Sequence, residues 1–170
     1  SAIEARATLE RALRRGLDRN EFSLYYQPQV DQDGALIGAE ALVRWLSPSQ
    51  GVVSPAQFIP LAEESGLILQ LGQWVLDTAC AQLKAWALDP RARDLILSVN
   101  VSARQFLQPG FVDQVRHCLL ASGADPARLK LELTESVVLD NLDTVIARMH
   151  ELDGMGVGFS MDDFGTGYSS

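Results

Sequence analysis

The sequence predicts an α/β domain in which mostly parallel strands alternate with helices, opened by one antiparallel hairpin. Three observations predict it. Strand-like stretches at 95–102, 129–135 and 157–162 alternate with helical stretches, as in successive βαβ units. Polar residues recur on those strands at Asn100, Glu132 and Asp162, 32 and 30 residues apart, about one βαβ unit each. The first two strands, near 22–30 and 38–45, are joined by little more than the turn Asp31-Gln32-Asp33-Gly34. So short a connection permits only an antiparallel hairpin, because a parallel crossover needs a dozen or more residues.

Residues 2–19 carry Leu9, Leu13 and Leu17 on one helical stripe. Residues 1–20 are read as an N-terminal helix, either packed or serving as a linker from an upstream domain, and 21–170 as the domain proper. The stretch Phe22 to Val30 contains Pro28, which marks an edge strand or a strand that ends there; Tyr25, Gln27 and Gln29 share one of its faces. In the next strand Ala39, Ala41 and Val43 share one face and Glu40, Leu42 and Arg44 the other. An acid and a base on one face of an otherwise buried strand are costly unless paired. Two readings stand: a structural Glu40–Arg44 pair, or a site at a strand end with Glu40 on a metal and Arg44 on an anion.

Ser54-Pro55-Ala56-Gln57 is a helix start, with Ser as cap, Pro at the first position and Gln completing a capping box. That helix ends near Gly66. A longer one runs from about 67 to 88 and stops at Asp89-Pro90. On the strand at 95–102, Leu95, Leu97, Val99 and Val101 face one way and Ile96, Ser98, Asn100 and Ser102 the other. A turn at Gln108-Pro109-Gly110 leads into a helix from Phe111 to Ala121 that closes at Gly123. The strand at 129–135 sets Leu129, Leu131 and Leu133 against Lys130, Glu132 and Thr134. Asp140 or Asn141 caps a helix to about Leu152, ending at Gly154. The last strand sets Val157, Phe159 and Met161 against Gly158, Ser160 and Asp162.

Bulk properties narrow the function. The chain has 170 residues, 47% hydrophobic and 21% charged, enough for one domain with a real core. A net charge of −8 argues against a DNA or RNA polymer as partner, since such surfaces need basic patches. A phosphate ligand remains accessible where metal ions and a local Arg offset the acidic field. Cys80 and Cys118 lack metal-site spacing and read as buried, reduced thiols of a cytoplasmic protein. No apolar run reaches membrane-spanning length and no signal-peptide pattern opens the chain, although an upstream region could anchor the full-length protein.

Glu40, Asn100, Glu132 and Asp162 each lie on the strand face opposite the regular aliphatics. In a parallel barrel that face points to the axis, and sites collect at the C-terminal strand ends. Four oxygen ligands converging there suit Mg2+ or Mn2+ rather than zinc. His117 and His150 are lone helix residues and read as structural or surface groups. Asp162-Asp163 is either a solvated loop start or a carboxylate pair able to share two cations. Gly165-Thr166-Gly167 lacks the Lys-Ser/Thr and following helix of a nucleotide phosphate loop and is read as a mobile loop at the site.

Five motifs, in order, carry a resemblance: Tyr26-Gln27-Pro28; Glu40-Ala41-Leu42 with Val43-Arg44-Trp45; Asn100-Val101-Ser102; Glu132-Leu133-Thr134-Glu135-Ser136; and Asp162-Asp163-Phe164-Gly165-Thr166-Gly167-Tyr168-Ser169-Ser170. Together the chain resembles the EAL-domain cyclic di-GMP phosphodiesterases. The resemblance implies a TIM-like barrel with an antiparallel first strand. It implies hydrolysis of cyclic di-GMP to linear pGpG with one or two Mg2+ or Mn2+ ions. It further implies Glu40, Asn100, Glu132 and Asp162 as metal ligands, with Asp163 at a second metal. Arg44 is implied on a substrate phosphate, Gln27 and Leu42 on the substrate side, and Glu135 as holder of the loop after Asp163.

Family domains continue for about three more strand–helix units, as an eight-stranded barrel of ~250 residues requires. Those units carry a catalytic Lys, another acidic metal-site residue and a distal Gln, none of which falls within these 170 residues. The chain is therefore expected to be an incomplete barrel of about five strands, with weak binding and impaired turnover by itself. Its open sheet edges are expected to promote self-association, and a diguanylate-cyclase-like or sensor domain is expected upstream. The alternatives to an enzyme are a cyclic di-GMP receptor without turnover and a dimerisation module.

Overall fold

The computed structural model of the chain describes residues 1–161; within them, the side chains of Glu135, Ser136 and Val138 lie outside that description. Helix α1 (Ala2–Asp18) precedes a hairpin of β1 (Phe22–Val30) and β2 (Leu36–Ser47). A short β3 (Gly51–Val53) follows, then α2 (Pro55–Ser65), α3 (Ile68–Ala87), β4 (Ile96–Asn100), α4 (Ala103–Phe106) and α5 (Phe111–Ser122). A 3-10 turn (Pro126–Arg128) leads to β5 (Leu129–Leu133), α6 (Glu135–Asp140), α7 (Leu142–Gly154) and β6 (Gly158–Met161).

The strands form one sheet in the order β1-β2-β4-β5-β6, with β3 paired to β2. β1 is antiparallel to β2, while β2, β4, β5 and β6 are mutually parallel. This is the α/β, incomplete TIM-like barrel with an antiparallel first strand that the sequence predicts, and Pro28 sits on an edge strand as expected. The described strands number six rather than five, because Gly51–Val53 folds back on Trp45, Leu46 and Ser47.

Alternation drives the packing. Leu97, Val99, Leu129, Leu131, Leu133 and Val157 are buried beneath α3, α5 and α7 in the main core. A second core gathers where α1, α2 and the start of the hairpin meet. There Trp45, 1% exposed, stacks on Phe22 with centroids 5.4 Å apart and takes the edge of Phe58 at 5.6 Å. Its indole N–H donates to Glu21 Oε1 at 3.0 Å, which satisfies the one polar atom that burial would otherwise orphan.

Helix boundaries follow local chemistry. Ser54 accepts from the Ala56 N–H, and Gly66 closes α2 with φ 85°, a conformation glycine adopts without a Cβ penalty. Gly123 ends α5 in the same way. Two expected strands end early, since Ser102 and Thr134 are the N-caps of α4 and α6 rather than strand residues; β6 begins at Gly158, one residue later than expected. The helix expected to follow Asp140 or Asn141 is α7, capped at Asn141, with α6 before it.

Candidate functional site

Residues directly opposite each other in a sheet share a face, so the register defines rows across the inner surface. One row runs Gln27, Glu40, Ser98, Lys130, Gly158. The next, one pleat toward the C-terminal ends of the parallel strands, contains the pair Tyr25 and Leu42 on the hairpin and the run Asn100, Glu132, Ser160 across β4, β5 and β6. Asn100 and Glu132 therefore occupy corresponding places, as expected. Glu40 does not: it pairs with Ser98 and sits one pleat lower.

The offset is bridged by a hydrogen bond. Asn100 Nδ2 donates to Glu40 Oε2 at 3.0 Å. Glu40 is 2% exposed and Glu132 7%, so both carboxylates sit where water cannot solvate them freely and a donated amide proton is worth more than at the surface. Ser98, in the row of Glu40, is fully buried, and its Oγ has no hydrogen-bond partner among the described residues. Arg44, half-buried at the upper end of β2, places its guanidinium over the Tyr25 ring, 5.3 Å from the centroid, and donates to the Val43 carbonyl at 3.3 Å.

Above these residues lies a cleft of about 540 Å³, within the range of small-molecule sites. Gln27, Glu40, Leu42, Arg44, Asn100 and Thr134 line its sheet side, and Pro55, Ala56, Ile59 and Glu63 of α2 form one wall. Arg104, on the turn after Asn100-Val101-Ser102, ties that wall down: its Nη1 donates to the carbonyls of Glu63 and Glu64 at the end of α2. Ser102 Oγ accepts from the Gln105 N–H at 3.1 Å, capping α4. The buried Gln105 side chain lies so close to Gly72 of α3 that a Cβ there would meet its amide at 2.4 Å. Sequence reasoning missed Tyr25, Arg104 and Gln105 as cleft-building residues. The Ser-x-x-Gln capping pattern at 102–105 was the available signal for α4.

The structure thus brings together Gln27, Glu40, Leu42, Arg44 and Asn100 at one cleft, with Glu132 beside Asn100 in the sheet. Asp162, Asp163 and the Gly165-Thr166-Gly167 loop, and the Glu135 side chain, lie outside the described residues. His117 and His150 are exposed on α5 and α7. Among the described residues no group of three or more His, Cys, Asp and Glu forms a cation cage. The donors that do converge, two carboxylates and an amide, are all oxygen donors of the kind a hard divalent cation takes. The thiols are elsewhere, between α3 and α5. Burial, then Asp77, pushes Cys80 up to about 11. Burial, then the hydrogen bond from its thiol to Asp77 Oδ1 at 2.9 Å, pushes Cys118 up to about 12. No described helix is long and apolar enough to cross a membrane.

The chain is similar to known proteins over nearly its whole length. The chain is 49% identical over 159 residues to the bifunctional diguanylate cyclase/cyclic di-GMP phosphodiesterase MucR of Pseudomonas aeruginosa, covering 93% of this chain and 23% of that protein. It is 42% identical over 171 residues to the oxygen sensor protein DosP of Escherichia coli, covering 98% of this chain and 21% of DosP. The solved MucR phosphodiesterase in complex with c-di-GMP superposes with a TM-score of 0.88 at 48% identity, covering 96% of this chain and 66% of that one. The EAL enzyme Bd1971 with cAMP and cyclic-di-GMP bound gives 0.88 at 31% identity, covering 99% and 47%. The chain thus spans about a quarter or less of the curated relatives named here. The EAL domain model matches residues 10–170, nearly the whole chain, and with these likenesses it shows that the chain belongs to the EAL-domain family.

Proposed function

We propose that this chain forms part of a metal-dependent phosphodiesterase domain that hydrolyses cyclic di-GMP to linear pGpG. The observation that carries the proposal is the buried Glu40 carboxylate, held by Asn100 at 3.0 Å on the floor of a cleft whose rim carries Arg44. In the reaction water adds its oxygen to one phosphorus, the bond from that phosphorus to its 3′ oxygen breaks, and the departing 3′ oxygen takes a proton. Glu40, Asn100, Glu132 and Asp162 would hold a divalent cation, Mg2+ or Mn2+, with Asp163 at a second. Such a cation supplies charge neutralisation at the phosphate and an activated water. Asn100 keeps Glu40 oriented, Arg44 receives a phosphate as a charge-assisted partner, and Gln27 and Leu42 contact the substrate side. Glu135 holds the loop that follows Asp163.

The acidic surface is consistent with a small dianionic ligand steered by a local Arg rather than a polymer. A reducing, cytoplasmic location fits the two free buried thiols. Among the described residues β1 and β6 lie at the edges of the sheet, which self-association would cover. The bifunctional name of MucR suggests a diguanylate-cyclase-like or sensor domain upstream here too.

The test is to incubate the full-length protein with cyclic di-GMP and Mg2+ or Mn2+ and follow pGpG by chromatography. Turnover that disappears in Glu40→Ala supports the reading. Binding by calorimetry without any product would instead identify a receptor.

A further inference from the structure

We propose that Tyr25 is a positioning residue for the ligand-binding Arg44, an inference that rests on the phosphodiesterase reading above. Tyr25 pairs across the hairpin with Leu42, and Ser23 pairs with Arg44. The antiparallel hairpin thus sets the Tyr25 ring diagonally beside the Arg44 side chain on the inner face. The guanidinium lies over that ring at 5.3 Å from its centroid. The ring is 59% exposed, an unusual setting for an aromatic residue in the middle of a strand. It contributes little to the core; Tyr26, its neighbour of opposite parity, packs there instead, edge-on to Trp86 at 5.4 Å.

A free arginine side chain samples many rotamers, and a ligand that captures it must bear the ordering cost. The ring removes part of that cost in advance. It attracts the guanidinium through its negative face, and that face, unlike a carboxylate, has no lone pair to compete with a phosphate for the N–H groups. The contact itself uses none of the guanidinium N–H groups; one Nη1 N–H goes to the Val43 carbonyl, and the others are left for phosphate oxygens. Tyr25 therefore sets ligand affinity through Arg44 and takes no part in the chemical step. The phenol hydroxyl is not required, so phenylalanine should serve as well.

The experiment measures KM and kcat for cyclic di-GMP in the full-length protein for Tyr25→Leu, Tyr25→Phe, Arg44→Ala and Tyr25→Leu/Arg44→Ala, with binding of the same ligand by calorimetry. Tyr25→Leu should raise KM and Kd roughly three- to fivefold, the scale of an exposed cation–π contact, with kcat within about twofold. Tyr25→Phe should match the parent protein. In the Arg44→Ala background Tyr25→Leu should add nothing. The inference is overturned by an unchanged KM in Tyr25→Leu, by a loss in kcat alone, or by an equal penalty with and without Arg44. A parent protein that neither binds nor hydrolyses cyclic di-GMP overturns the functional reading and this inference together. One that binds without turnover overturns only the enzymatic reading, and calorimetry then decides Tyr25.

Discussion

Asn100 on β4 donates its side-chain amide to the carboxylate of Glu40 on β2, and the two residues sit one pleat apart on neighbouring parallel strands. The bond ties together the two strands on which the floor of the cleft is built. Asn100→Ala removes a donor from a carboxylate only 2% exposed. The expected loss is about 1–3 kcal/mol of stability, the cost of an under-satisfied buried group. In a Glu40→Gln background, where no charge needs the amide, the same substitution should cost measurably less. Urea denaturation of the four proteins gives the coupling, and equal losses in both backgrounds would contradict it.

Gly38 lies two residues before Glu40 and pairs with Ile96. A Cβ at this position would meet the Ile96 carbonyl oxygen at 2.4 Å. That atom belongs to the β2–β4 ladder and cannot swing aside as a side chain does. Gly38→Ala should therefore destabilise by roughly 3 kcal/mol, the upper end for overpacking, and lower ligand affinity by disturbing the strand that carries Glu40. A thermal midpoint within a degree of the parent would show that the strands separate more easily than the register implies.

Gly72 presents the opposite case, since its close neighbour is the end of the Gln105 side chain. Gly72→Ala alone should cost roughly 1–2 kcal/mol, the clash outweighing the gain in helix propensity. With Gln105→Ala present the clash is gone, and Gly72→Ala should become neutral or stabilising by up to about 1 kcal/mol. The reversal of sign is the expected outcome in denaturant titrations.

The thiols give a pH dependence with a definite sign. Cys80 and Cys118 are held at about 11 and about 12, above the ordinary 9.0. Below pH 9 both are protonated in the folded and the unfolded chain, and their contribution is fully present. As pH rises past 9 the unfolded chain gives up its thiol protons first, so stability falls until the folded thiols also ionise. The slope is at most about 1.4 kcal/mol per pH unit per thiol. Comparing the parent with Cys80→Ala/Cys118→Ala between pH 8 and 11 isolates this component: the parent should fall more steeply only above pH 9. The same burial makes both thiols slow toward alkylation at pH 8 in the folded protein.

Faces were legible in the sequence, and heights were not. The alternation of Ala39 and Ala41 against Glu40 and Leu42 states which residues look inward, and the structure agrees. Nothing in that alternation states where two parallel strands line up, so the offset of Glu40 from Asn100 came only from the register. Ser102 and Thr134 were taken into strands for a related reason. A helix N-cap has extended backbone, with ψ of 157° and 151° at these residues, so strand-like alternation runs straight through it. The three-residue β3 and four-residue α4 are too short for any periodicity to develop. The face that Tyr25 shares with Gln27 does not disclose its relation to Arg44, which exists only across the hairpin.

The reversed direction of β1 has a bearing on how the chain enters the molecule. Because Phe22 pairs with Trp45, β1 starts at the end of the sheet where Arg44 and the cleft are found, and it finishes at the far end. Helix α1 is consequently delivered to the same end of the sheet as Arg44, where Gly16 packs against Trp45, Glu21 and Phe22. Had the first strand run parallel to the others, the same helix would have been joined to the opposite pole. Residues 2–18 thus abut, through Phe22 and Trp45 as well as through α2, the strand that bears Glu40 and Arg44.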